Sequence, residues 1–104
     1  SDTHNGHRNP AFDRRIRQIK ADILVHAGDF GDQGTREERI DFGKWLSTLE
    51  NFQYKLLVSG NMDGIGLDSK RLKDKDRFPE SDASVIYLEN QARSVMGLNF
   101  YGCP

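Results

Sequence analysis

Two segments of the chain space their apolar residues at intervals of three and four, as on one face of a helix. The first segment starts at Asn9-Pro10, where asparagine can cap a helix and proline suits its first position. The second starts at Thr35, and Glu38 three residues later completes the pattern of a capping box. The residues predicted to form the two buried stripes are Phe12, Ile16, Ile19, Phe42, Trp45, Leu46 and Leu49.

Four shorter apolar runs predict β-strands. Residues 23–25 form a continuous run rich in β-branched side chains, which predicts a strand buried on both faces. Residues 54–58 and 85–88 predict two further strands. Apolar residues alternate with other types along residues 95–101, which predicts one continuous strand with a single buried face.

The alternation of strands with helices predicts an α/β fold built from parallel βαβ units with right-handed crossovers. In such sheets the functional residues collect beyond the carboxyl ends of the strands. Asp29 and Asn61 each follow a predicted strand directly. Asp2 and His4 would also follow one if a strand preceded Ser1, and that strand is absent from this sequence.

Residues 63–82 lack both kinds of spacing, because basic and acidic side chains dominate this stretch. We interpret it as a solvent-facing loop. A lid over a functional site is the alternative, and the plain surface loop is the favoured interpretation.

Length and charge exclude several classes of function. At 104 residues the chain is one small domain or part of a larger one. Its 15 basic and 16 acidic residues give a net charge of -1, so nothing favours a nucleic-acid or anionic-membrane partner. No apolar run is long enough to span a bilayer, and no secretory leader is visible. The single cysteine, Cys103, favours an intracellular, reducing compartment.

Three short blocks carry the candidate chemistry: Asp2-Thr3-His4, Gly28-Asp29 and Gly60-Asn61-Met62-Asp63. Their order resembles the first three blocks of the calcineurin-like metallophosphoesterases, which are D-x-H, G-D and G-N-H-D/E. Further segments resemble the subfamily of metallophosphoesterase-domain proteins. They are residues 26–30, Phe42, Trp45-Leu46, and residues 55–61, 85–88 and 97–104.

The resemblance implies a four-layer α-β-β-α sandwich and a phosphodiesterase activity, with cyclic nucleotides among the substrates. It also implies two divalent metal ions, which in this family are manganese, iron or zinc. Only the amino-terminal half of the family domain is matched. Residues 1–104 are therefore expected to be a partial metallophosphoesterase domain without its first strand and its carboxy-terminal half.

The metal ligands implied by the resemblance are Asp2, His4, Asp29 and Asn61. Residues two apart in an extended segment project to the same side, so one metal could take both Asp2 and His4. The Asp29 carboxylate has two oxygens and could bridge two metals. Asn61 could offer its carbonyl oxygen to the second metal.

Two departures from the family pattern bear on activity. Met62 replaces the histidine that in the family contacts the phosphate and helps to protonate the leaving oxygen, and a thioether can do neither. No histidine follows His26, although the family completes its metal shell with downstream histidines, so residues outside this chain would have to complete it. We expect His7 to be exposed, His26 to be a hydrogen-bonded core residue, and Arg8 to be a surface arginine rather than a phosphate contact.

Three functions therefore remain open. The first is a phosphodiesterase acting on a small phosphodiester and impaired by Met62. The second is a catalytically inactive subunit with a structural role in a larger assembly. A nuclease ranks last, because the charge balance gives no surface that would follow a phosphate backbone. In either leading case, the rest of the fold or a protein partner is expected to cover an apolar sheet face formed by Leu24, Leu56, Leu57, Met96, Leu98 and Phe100.

Overall fold

A three-stranded parallel sheet forms the centre of the computed structural model, which describes residues 1–64 and 82–104. The strands lie in the order β1-β2-β3, with His26 paired to Leu57 and Leu57 paired to Tyr87. The elements of this part of the chain are α1 (Pro10–Arg17), β1 (Ile23–His26), α2 (Arg36–Ser47), β2 (Tyr54–Leu57) and β3 (Val85–Tyr87). The predicted α/β fold with a parallel βαβ unit is confirmed.

The predicted charged loop falls almost entirely on residues 65–81, outside the described residues. Within the described part of the chain, none of the helices has the length and apolar character needed to cross a bilayer.

Both helices begin where their capping residues predict. The Asn9 side chain accepts a hydrogen bond from Ala11 N at 2.9 Å. At α2, Thr35 Oγ1 accepts from Glu38 N at 3.2 Å, and Glu38 Oε1 accepts from Thr35 N at 3.1 Å. The prediction for Ile19 is wrong, because α1 ends at Arg17 and leaves Ile19 exposed beyond it.

Strand β1 is buried on one face more completely than on the other. Its prediction as a strand is confirmed, but Val25 is 57% exposed, so burial on both faces is wrong. The buried face of β1 carries His26 and packs against the helices. The opposite face carries Val25 and is only partly covered, and β1 lies at the edge of the described sheet.

A β-hairpin covers part of the second sheet face. Its strands are β4 (Gln91–Val95) and β5 (Leu98–Gly102), paired antiparallel with Val95 opposite Leu98. The prediction of one continuous strand over residues 95–101 is therefore wrong. Met96 and Gly97 form the two-residue turn with φ of 51° and 78°, and positive φ at both positions is what a type I′ hairpin turn requires.

The core consists of two clusters, one on each face of the sheet. The cluster on the helix side contains Phe30, Phe42, Leu46, Leu49, Phe52, Leu57, Val85 and Tyr87. The cluster on the hairpin side contains Leu56, Ile86, Leu88 and Val95. Leu56 and Leu57 are thus buried within this chain, and the prediction that the rest of the fold or a protein partner must cover these two side chains is wrong. Met96 and Leu98 remain 50% and 57% exposed.

Candidate metal centre

Asp2, His4 and Asp29 meet just beyond the carboxyl end of β1. Each offers one ligand atom, and these atoms all lie within 4.8 Å of one another. Backbone hydrogen bonds hold the two segments side by side, from Asp2 N to Gly28 O at 2.9 Å and from His4 N to Asp29 O at 3.1 Å. Two carboxylates and one imidazole form a donor set that suits zinc, manganese or iron. The residues therefore fit the metals that the family resemblance implies.

The backbone at these three residues is not extended. Asp2, His4 and Asp29 have φ of 57°, 42° and 56°, in the left-handed region that non-glycine residues seldom adopt. The predicted mechanism of convergence, with side chains two apart on an extended strand, is therefore wrong even though the side chains do converge. Such conformations persist only where surrounding contacts impose them.

The imidazole of His4 is oriented by a backbone carbonyl. His4 Nδ1 lies 3.1 Å from Gly31 O. Because a carbonyl oxygen can only accept, Nδ1 carries the proton and donates, which leaves Nε2 as the basic nitrogen. His4 Nε2 lies 3.9 Å from Asp2 Oδ1, on the side of the cluster. This is the tautomer that a metal ligand needs.

Asn61 and Met62 belong to a short 3-10 helix, Asn61–Asp63, that follows β2. Met62 N donates to Asp29 Oδ1 at 2.9 Å, and the Met62 side chain is half-buried. The side chain of Asn61, which lies between Gly60 and Met62 in the sequence, is exposed. Gly60 packs so closely on the Asp29 carboxylate that no side chain would fit at that position. The structure thus places the neighbours of Asn61 against the cluster, while its own role as a ligand stays a prediction.

Asp63 makes contacts at the candidate site that sequence reasoning missed. Its side chain is fully buried and accepts hydrogen bonds from the backbone N–H groups of Asp29, Gly31 and Gly60. Burial raises the pKa of Asp63, and these three hydrogen bonds oppose that effect. The only indication of these contacts in the sequence was the position of Asp63 at the end of the third block, Gly60-Asn61-Met62-Asp63.

Glu38 ties α2 to the segment that carries the ligands. Besides capping the helix, its carboxylate accepts from Asn5 Nδ2 at 2.6 Å, Asp32 N at 2.8 Å and Gln33 N at 2.9 Å. Burial by itself would raise the pKa of Glu38, but the hydrogen bonds from Asn5, Thr35, Asp32 and Gln33 lower it to about 2. The capping box was visible in the sequence, whereas the contact with Asn5 was not.

His26 is a hydrogen-bonded core residue, as predicted. Gly28 N donates to His26 Nδ1 at 3.2 Å, so the proton of the ring is on Nε2, which lies 3.0 Å from Thr3 Oγ1 and donates to it. Burial lowers the pKa of His26 to about 4, so the ring is neutral at pH 7. The His26 ring therefore holds Thr3, which lies between the candidate ligands Asp2 and His4.

The prediction for His7 is wrong, because this residue is only 5% exposed. Its Nε2 lies 2.6 Å from Asp41 Oδ2, and its ring packs against Phe42 and Trp45 with centroids 5.2 and 5.4 Å away. Arg8 is exposed and donates from Nε to the same Asp41 oxygen at 3.0 Å, in line with its interpretation as a surface arginine. Both residues anchor the ligand segment on α2.

Comparison with known proteins agrees with this geometry. The model of the calcineurin-like phosphoesterase family matches residues 1–101. The chain is 31% identical over 123 residues to Metallophosphoesterase domain-containing protein 1 from Homo sapiens and 30% identical over 112 residues to a UPF0046 protein from Caenorhabditis elegans. These alignments cover 100% and 98% of the chain but only 35% and 36% of the relatives. A Probable rhamnogalacturonate lyase C from Emericella nidulans is 33% identical over 91 residues, which are 86% of the chain and 8% of that protein.

Proposed function

The chain belongs to the calcineurin-like phosphoesterase family, and we propose that it forms part of a metal-dependent phosphodiesterase. Family membership supports a phosphoesterase type of function and dependence on a pair of metal ions. Because the chain spans about a third of the length of the human and Caenorhabditis elegans relatives, the activity belongs to a longer protein in this proposal.

The convergence of Asp2, His4 and Asp29 is the observation that carries this proposal. We assign these residues and Asn61 as ligands of two divalent ions, which are manganese, iron or zinc, with further ligands supplied from outside this chain. Bound metals in such a site supply an activated hydroxide and neutralise charge on the phosphoryl oxygens. Within the chain, Gly31 O orients His4, and Met62 N holds one oxygen of Asp29.

The proposed substrate is a small phosphodiester, and cyclic nucleotides are the first candidates within this class. A net charge of -1 gives no basic surface for tracking a nucleic-acid backbone, which favours a small molecule over a polymer.

Met62 is expected to lower the rate of this phosphodiesterase relative to a protein with histidine at that position. Loss of a general acid typically lowers a rate by about 10²- to 10⁴-fold. Met62→His in the full-length protein should therefore raise Mn²⁺-dependent turnover of an aryl phosphodiester within that range. Met62→Leu, which has a similar volume and no proton to donate, is the matched control and should give no gain.

A second candidate is a catalytically inactive member of the family that acts as a structural subunit. Met62 favours it, as do the half-exposed Met96 and Leu98, which a protein partner or the rest of the fold would cover. Calorimetric titration of the full-length protein with Mn²⁺ separates the two proposals. Binding of Mn²⁺ with a gain from Met62→His supports the enzyme, whereas binding of Mn²⁺ without any gain supports the structural subunit. Absence of Mn²⁺ binding would refute the metal centre itself.

A further inference from the structure

We propose that Asp63 is a positioning residue of the metal centre: it fixes the ligands Asp29 and His4 from behind and does not bind metal itself. This inference rests on the proposed function, because it concerns the same site. Asp63 is fully buried, and the described residues that form the candidate metal cluster are Asp2, His4 and Asp29.

The two carboxylate oxygens of Asp63 hold two separate loops. Oδ2 accepts from Asp29 N at 2.9 Å and from Gly60 N at 2.7 Å, so one oxygen joins the loop after β1 to the loop after β2. Oδ1 accepts from Gly31 N at 2.8 Å. With both oxygens occupied by backbone N–H groups, this carboxylate is directed toward the protein and away from a ligand role.

The contact with Gly31 extends to His4. Gly31, whose N–H donates to Asp63 Oδ1, also carries the carbonyl oxygen that accepts from His4 Nδ1 at 3.1 Å. Asp63 therefore restrains the residue that selects the His4 tautomer. Mutation of a residue that hydrogen-bonds and orients a metal ligand typically lowers metal affinity by about 10- to 100-fold.

The backbone of Asp29 explains why this restraint matters. Its φ of 56° is unfavourable for a non-glycine residue, and the contact from its N–H to Asp63 helps to hold it there. An aspartate supplies acceptors only, whereas an asparagine would turn an amide N–H₂ group toward at least one backbone N–H. Asp63→Asn therefore changes little in volume and disrupts the contacts to the ligand loops.

The test is calorimetric titration of full-length wild type and Asp63→Asn with Mn²⁺, together with electron paramagnetic resonance of the bound ion. We expect about 10- to 100-fold weaker Mn²⁺ binding and a changed resonance signal for Asp63→Asn. Ile86→Ala is the matched control, because Ile86 is buried in the cluster on the hairpin side and its loss should destabilise the fold while Mn²⁺ affinity stays within about twofold.

The outcomes separate this inference from the proposed function. Absence of Mn²⁺ binding to wild type would overturn both. Equal Mn²⁺ affinity of wild type and folded Asp63→Asn would overturn the positioning role alone. Should Asp63→Asn not fold, hydrogen exchange in wild type decides. We expect Mn²⁺ to slow amide exchange of residues 29–31 by at least about tenfold and to leave β4 unchanged, because metal and Asp63 stabilise the same loop arrangement. Unchanged exchange at residues 29–31 would overturn the inference.

Discussion

Acidification should destabilise this chain through His26 before its carboxylates are protonated. The buried ring is neutral, accepts from Gly28 N and donates to Thr3. Protonation would turn Nδ1 into a donor facing the Gly28 N–H group, and the charge would have to be accommodated within the core. This is why burial holds the pKa of His26 at about 4, below the ordinary value of 6.5.

The sign and size follow from linkage. Between pH 6.5 and 4 the unfolded chain binds a proton at His26 and the folded chain does not, so stability falls as the pH is lowered through this window. The stabilising contribution is fully present above the unfolded pKa. At pH 5 the loss is about 2 kcal/mol relative to pH 7. Ordinary carboxylates lose only a few tenths of a kcal/mol over the same interval, on the order of 0.2 for a pKa near 4.5.

Two measurements on the full-length protein test this prediction. An NMR titration of the His26 ring should give a pKa near 4. Urea unfolding at pH 7, 6 and 5 should show that wild type loses about 2 kcal/mol more than His26→Phe, which keeps the ring contacts with Phe30 and Phe42 but cannot titrate. A ring that titrates near 6.5, or equal pH dependence of the two proteins, would refute the reasoning.

Two further predictions concern the residues around the ligands. Glu38→Gln should lower the free energy of unfolding at pH 7 by about 1–3 kcal/mol in urea titrations, because an amide cannot accept from all of the N–H groups that Glu38 holds. The wild-type advantage should be present above pH 4.5 and disappear as the pH falls toward 2, and an advantage that persists at low pH would contradict this account. Gly28→Ala should destabilise by about 1–3 kcal/mol more than Gly97→Ala. Both glycines have positive φ, but a methyl group at Gly28 would lie 2.7 Å from Gly60 N, whereas Gly97 has open space around it. Equal thermal shifts for the two variants would show that the two loops can move apart freely.

The sequence was sufficient for the elements with strong local signals. Capping residues located both helix starts, and the buried apolar runs located the three parallel strands. Asp2, His4 and Asp29 were named as candidate ligands because their types and order match a family pattern, and the structure brings these three side chains together. The extended backbone first given as the reason for this proximity was wrong, because Asp2, His4 and Asp29 adopt left-handed conformations.

One of the remaining errors has a local cause, and the others arise from contacts between residues far apart in the chain. The Met96-Gly97 turn was missed because methionine is not a residue that typically adopts positive φ in a hairpin turn. His7 was placed at the surface because its partners Asp41 and Trp45 are far away in sequence. The burial of Leu56 was missed for a related reason, since the hairpin that covers it was predicted as a single strand.

The geometry of the candidate ligands depends on residues outside the candidate cluster. Left-handed conformations at Asp2, His4 and Asp29 cost about 1–3 kcal/mol each. Three side chains from different elements oppose this cost. Asp63 holds the Asp29 and Gly31 backbone, His26 holds Thr3, and Glu38 holds Asn5. Hydrogen bonds to the charged carboxylates of Asp63 and Glu38 contribute about 1.5–3 kcal/mol each, and the neutral hydrogen bond from His26 to Thr3 contributes about 0.5–1.5 kcal/mol, so together they are of the same size as the strain they offset. Removing any one of the three should therefore loosen the ligand segment without touching a ligand atom, and the arrangement is specified by α2, β1 and the loop after β2 together.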